Sequence, residues 1–205
     1  MGNDLTLLDG PTISILSNPA LIAINQDPLG MSVFRVWEKP ATYLTSSTSS
    51  AALYSPSTIS FWTGQLNGGD QVVAFLNAGD EFAKMSATYS DIFVDKVTTG
   101  SSKPVPLLQQ SWDIYDVWGN RMDNATADAV LKGNVTVAEE KGMWWNNTNM
   151  LYKDGVKANY SAVLGKKVGT LSPGNTLDAV VESHGVVAYR LRSLGAIGAV
   201  SYTHL

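Results

Sequence analysis

The sequence predicts a mainly β protein, an antiparallel β-sandwich preceded by a short helical segment of different character. Three observations carry this. From Ser32 onward, short runs rich in Val, Ile, Phe, Tyr, Trp and Thr recur between Gly, Asn, Ser and Pro residues, the pattern of many short strands joined by turns. The last run, Gly185–Arg192, places Val187, Tyr189 and Leu191 on one face and Val186, Ala188, Arg190 and Arg192 on the other, as a half-buried antiparallel strand does. Residues 1–30 instead show apolar residues at helical spacing between prolines.

In that first segment Pro11 suits a first helical turn, and Ile13 and Leu16 fall on one face. Asn18-Pro19 breaks and restarts the helix, Asn18 as cap and Pro19 as first residue. Ala20–Ile24 is then a short apolar helix that stops before Asp27-Pro28, because a residue preceding proline is pushed out of the α region. Helices this short are marginal alone, so the segment reads as the end of something larger.

The expected strands are Ser32–Glu38, Thr58–Thr63, Gln71–Asn77, Glu81–Thr88, Trp112–Trp118, Val130–Val137 and Gly185–Arg192. Asn67-Gly68 is a turn signal between the second and third of these. Thr45–Ser50 reads as loop or edge. Residues 139–178, less regular and rich in Asn, Gly and Lys, read as a long decorated insertion, an excursion from the sandwich. The tail does not continue the last strand. Residues 194–205, ending Ser201-Tyr202-Thr203-His204-Leu205, are expected to be non-native, like peptide translated from adapter or vector sequence. The expected domains are therefore 1–30, 31–193 and the tail 194–205.

Composition narrows the function. A chain of 205 residues with 44% hydrophobic and 16% charged residues buries a real core and is not disordered. A net charge of −4 with no basic run argues against nucleic acid and anionic membrane as partners. No run approaches the roughly 20 apolar residues of a membrane helix. With no cysteine, and with His184 and His204 far apart, no metal or cofactor is expected. The N-terminus has neither the basic nor the apolar region of a signal peptide. Four sequons, at Asn124, Asn134, Asn146 and Asn159, nevertheless point to a secreted glycoprotein; the alternative is a polar loop that generates the motif by composition.

Beyond composition, an ordered series of matches runs along the chain. Gly2-Asn3-Asp4-Leu5, Ile15-Leu16-Ser17-Asn18-Pro19 and Ile22-Ala23-Ile24-Asn25-Gln26-Asp27-Pro28-Leu29-Gly30 are followed by Trp62-Thr63-Gly64 and Gln71-Val72-Val73-Ala74-Phe75-Leu76-Asn77. Trp112-Asp113-Ile114-Tyr115-Asp116-Val117-Trp118 and His184-Gly185-Val186-Val187-Ala188-Tyr189-Arg190-Leu191-Arg192 complete it. Together these resemble the C-terminal part of the fungal α-galactosidases of glycoside hydrolase family 27, over roughly residues 1–193. The Trp112–Asn124 stretch and the sequon-bearing region after it look most like their α-galactosidase B branch. The resemblance implies that residues 1–30 are the last strand-end and helices of a truncated (β/α)8 barrel, before a C-terminal antiparallel β domain. It implies a parent enzyme that hydrolyses terminal α-D-galactosyl residues with retention, using two carboxyl groups from earlier barrel strands. The family's Lys-Trp-Asp nucleophile motif is absent from this chain. No catalytic residue is therefore expected here, and the substrate would be an α-galactoside met through the barrel.

Asp4 is the carboxylate expected at the old active-site rim, either as a remote substrate contact or, with Asn3, in a turn or cap. Asp27 is expected to stabilise a turn. Glu139-Glu140 and Asp80-Glu81 read as solvated pairs, since neighbours on a strand point to opposite faces. His184 next to Ser183 reads as a turn or packing residue, and Tyr152-Lys153-Asp154 as no strand-end element. Trp37, Trp62, Trp112 and Trp118 are expected to anchor the core or an interdomain face. Trp144-Trp145 either packs beneath the insertion or contacts sugar. The alternative function is a non-catalytic carbohydrate-binding or structural β-sandwich, marked by a shallow exposed aromatic platform.

Overall fold

The computed structural model describes residues 7–40, 58–94 and 110–196. Asp4, Thr45–Ser50 and residues 197–205 of the expected tail lie outside the described residues. The chain divides into two compact units, one of Met1–Gly30, Leu66–Gly68 and Tyr115–Lys167, the other of Met31–Gln65, Gly69–Ile114 and Val168–Leu205.

The second unit is the sandwich. The strands are β1 (Phe34–Pro40), β2 (Thr58–Gln65), β3 (Gln71–Asn77), β4 (Ala83–Thr88), β5 (Gln110–Asp116), β6 (Lys166–Leu171), β7 (Thr176–Val181) and β8 (Val186–Ala196). A six-stranded sheet has the order β1-β2-β3-β8-β5-β6, and β4 pairs with β7 in a second sheet. The pairs β1–β2, β2–β3, β3–β8 and β4–β7 are antiparallel. The small sheet shows why it folds: Ala83, Met85 and Ala87 alternate with exposed Lys84, Ser86 and Thr88, and Leu177, Ala179 and Val181 alternate in the same way on β7. Its apolar face joins Ile59, Phe61, Val73, Phe75, Trp112, Leu171 and Leu191 in one core. Aromatic rings fill the centre, with Phe61 and Phe75 centroids 4.9 Å apart and Phe93 stacked on Trp112 at 4.6 Å.

The expected Asn67-Gly68 turn joins β2 to β3, and Gly68 and Gly69 take φ of 79° and 84°, where a side chain would be strained. Past the turn, buried Asp70 accepts from Arg190 Nε at 2.8 Å and lies 3.4 Å from Arg192 Nε. The Arg190 side chain is fully buried. Alternation along β8 puts this residue on the less apolar face; the carboxylate of Asp70 offsets the cost of enclosing its guanidinium there.

The first unit is helical. It contains α1 (Gly10–Leu16), α2 (Pro19–Asn25), α4 (Asn124–Leu131), α5 (Thr136–Glu140), α6 (Tyr152–Lys157) and α7 (Ser161–Leu164); α3 (Tyr89–Ile92) belongs to the sandwich unit. Asp9 caps α1 through the Thr12 N–H, and Asn18 caps α2 through Ala20 and Leu21. Two small cores hold the helices. Ile13, Val130, Met143 and Trp144 pack on Met122, Ala127 and Ala138. Tyr115, Trp145 and Tyr152 pack on Ala23, Val156, Val163 and Leu164. Gly155 permits the second, since a Cβ there would stand 2.5 Å from Trp145 Cζ2 and 3.2 Å from Val163 Cγ2.

Three expectations are corrected. Val130–Val137 is no strand: it is the end of α4, a turn through Gly133 at φ 88°, and the start of α5. Its β-branched residues imitate a strand, but Asp123 starts α4 by accepting from the Thr126 N–H, and packing decides. The 139–178 segment is not wholly an excursion from the sandwich, because β6 and the start of β7 lie in it; the Lys-Lys and Gly of β6, and its exposed side chains, hide the period. β8 runs on through Ala196, so Gly195 and Ala196 continue the strand that was expected to end at Arg192. Tyr115–Lys167 groups with the N-terminal helices in the first compact unit.

Two substitutions test this packing. Asp70→Ala removes the carboxylate paired with the buried Arg190 guanidinium and lowers stability by about 3–5 kcal/mol in chemical unfolding. Gly155→Ala overpacks Trp145 and lowers stability by about 1–3 kcal/mol, read from the Trp fluorescence transition.

Candidate functional site

Retaining glycoside hydrolysis needs two carboxyl groups about 5–5.5 Å apart, one of them kept protonated by its surroundings. Several of the described carboxylates are engaged otherwise. Asp70 is buried against Arg190 and Arg192, and Asp113 accepts from the Thr170 hydroxyl at 3.1 Å. Asp123 is held down to about 2, by the Thr126 backbone N–H first and then by the Thr126 hydroxyl and Lys141. Asp9 is also lowered, by Thr12. Both shifts run opposite to what a general acid requires.

The other candidate residues take structural places. Asp27 Oδ1 accepts from the Leu29 and Asn67 N–H groups, so it stabilises a turn as expected. Glu139 and Glu140 are exposed, but on α5 and not on a strand. His184, in the β7–β8 turn at φ 51°, meets exposed Asp80 at 3.0 Å. Tyr152-Lys153-Asp154 is the first turn of α6. Trp112 is fully buried, Trp37 stacks on Phe61 at 5.7 Å, and Trp62 lies half-buried beside Arg35. Trp118 lies past the end of β5 with Arg121 over its ring. Trp37 and Trp112 thus pack in the core of the sandwich, whereas Trp62 stands outside that cluster and Phe82 is exposed.

The sequons and two solvent-facing grooves belong to the first unit. All four sequon asparagines are exposed there. Asn124 opens α4, but its sequon partner Thr126 is buried and accepts from Lys141 Nζ at 2.6 Å. Asn134 lies between α4 and α5, and Asn159 ends α6 with φ 63°. Asn146 Oδ1 accepts from the Thr148 N–H at 3.0 Å. Beside it, Leu16, Ser17, Ile22, Trp144, Trp145 and Tyr152 line a groove of about 230 Å³. Gln26, Asn147, Leu151, Tyr152 and Lys153 line a second of similar volume. Trp144 and Trp145 pack inward in separate clusters and also border a groove. The second groove was not legible in the sequence, because Gln26 is remote in sequence from residues 147–153.

Comparison with known proteins agrees with this architecture. Residues 56–140 match the family model described as the α-galactosidase C-terminal β-sandwich domain. An α-galactosidase of Saccharomyces paradoxus is 42% identical over 193 residues, which are 94% of this chain and 38% of the relative. The solved structure of a Saccharomyces cerevisiae α-galactosidase superposes with a TM-score of 0.75 at 40% identity, covering 94% of this chain and 39% of that one. A Mortierella vinacea α-galactosidase, at 22% identity and a TM-score of 0.53, shares the fold. The chain spans about two fifths of the length of the curated relatives it matches. Sequence and fold thus identify the chain with the C-terminal part of the α-galactosidases of glycoside hydrolase family 27, whose β-sandwich domain it carries.

Proposed function

We propose that this chain is part of a secreted, retaining α-galactosidase that removes terminal α-D-galactosyl residues from galacto-oligosaccharides and galactomannans, and that both catalytic carboxyl groups lie outside it. In such a reaction one carboxylate attacks the anomeric carbon while a carboxylic acid protonates the departing oxygen. Water then releases galactose from the glycosyl-enzyme ester, with the acid now acting as base. The observation that carries the reading is the 42% identity over 94% of the chain to an α-galactosidase. The solved Saccharomyces cerevisiae relative with raffinose, 39% identical to this chain, supports an α-galactoside as substrate.

The carboxylates of this chain support inactivity of the piece alone. Those that are buried serve ion pairs or hydroxyls, and the two with displaced acidity are lowered. The sandwich is then a structural partner of a catalytic barrel to which residues 1–30 contribute the end. Exposure of all four sequon asparagines supports passage through a secretory pathway.

The test is hydrolysis of p-nitrophenyl α-D-galactopyranoside by the purified 205-residue chain beside the full-length gene product. Turnover by the full-length product, with background release by the short chain, is the expected result. Activity that stays with the short chain through further purification would place a working carboxylate pair within it and overturn the proposal.

A further inference from the structure

The four sequons differ in one respect that bears on what a glycan would do. Two positions before each asparagine stand Met122, Lys132, Trp144 and Lys157. Met122 is sealed in a core, and the two lysines bring no aromatic ring. Trp144 is half-buried and borders an open groove with Trp145 and Tyr152.

The chain between Trp144 and Met150 is fixed. The Asn146 carbonyl accepts from the Asn149 and Met150 N–H groups at 3.1 and 3.3 Å, and Trp145 Nε1 donates to the Met150 carbonyl at 2.8 Å. The Asn146 carboxamide oxygen is turned to the Thr148 N–H. In a planar amide this leaves Nδ2, the atom that bears sugar, on the side away from that turn. Trp145 on one side of Asn146 lines the first groove, and Asn147 on the other lines the second.

Resting on the reading that the chain is secreted, we propose that Asn146 carries an N-linked glycan whose first N-acetylglucosamine packs on the aromatic wall of Trp144, Trp145 and Tyr152. The glycan there is a structural part of the first unit, whereas those at Asn124, Asn134 and Asn159 only coat it. The donor is a polyprenyl-diphosphate-linked oligosaccharide. The Nδ2–C1 bond forms, the C1–O bond to the diphosphate breaks, and Nδ2 gives up one proton. The C–H face of the sugar meets the π face of the rings, and the groove between the rings and Leu16 and Ile22 loses its contact with water.

The experiment uses the full-length protein secreted from a yeast host, its glycans trimmed to a single N-acetylglucosamine. Site occupancy is read by peptide mass spectrometry and local opening by hydrogen exchange over residues 142–157. Thr148→Ala abolishes the sequon while keeping Asn146, Thr148→Ser restores it, and Asn134→Gln removes a different site. The expected result is sugar on Asn146 and exchange at Met150 and Gly155 that rises about 2- to 10-fold in Thr148→Ala, the factor that loss of an aromatic contact implies. Thr148→Ser and Asn134→Gln should match the parent. Sugar at other sequons but not at Asn146 overturns the inference and leaves secretion standing. Sugar at no sequon overturns both. An occupied Asn146 with unchanged exchange in Thr148→Ala overturns the packing role.

Discussion

One buried carboxamide holds the helical unit together. Asn18 is 1% exposed, and both ends of its side chain are used. Its Nδ2 donates to the Val117 carbonyl at 2.9 Å, and its Oδ1 accepts from the Ala20 and Leu21 N–H groups at 3.0 and 3.3 Å. Val117 is where the chain leaves β5, and Ala20 is where α2 begins. The bond therefore ties the start of the long excursion to the N-terminal helices. A carbonyl buried without that donor costs about 1–3 kcal/mol, which is large against the two small cores on either side.

The helices α1 and α2 are too short to stand alone. They persist because each has a partner in the excursion: Ile13 on the Met122, Ala127 and Ala138 cluster, and Ala23 on Val156, Val163 and Leu164. Close approach is built in at Gly10, where a Cβ would stand 2.9 Å from Asp128 Oδ1. At Gly165, with φ 100°, a side chain would run into the Asp116 carbonyl. The excursion is thus completed by the N-terminal segment, and the grooves and sequons are features of that composite body. The sandwich relies on a separate core of alternating side chains and stacked rings.

What the sequence made legible follows from how local each signal is. The break at Asn18-Pro19, the Asn67-Gly68 turn and the alternation on β8 are set within a few residues, and they stand where they were expected. Trp112 as a core anchor follows from its strand. Signals spread over distant segments were not readable. The partner that lets Arg190 be buried, Asp70, is 120 residues away. Val130–Val137 carries strand-like residues whose helical state is decided by an upstream cap and by packing on Ala138. β6 lacks apolar alternation because its side chains are mostly exposed. The grooves join the N-terminal helices to residues 144–153, a pairing that no spacing in the chain encodes.

The most direct test is hydrogen exchange on the Asn18→Asp variant. Aspartate keeps the cap acceptor for α2 but removes the donor to Val117. If the N-terminal helices and the excursion form one cooperative body, exchange should quicken together at Ala127 in α4 and at Leu164 in α7, while Val73 and Phe75 in β3 stay protected. Unchanged protection at Ala127 and Leu164, or equal loosening of β3, would contradict it.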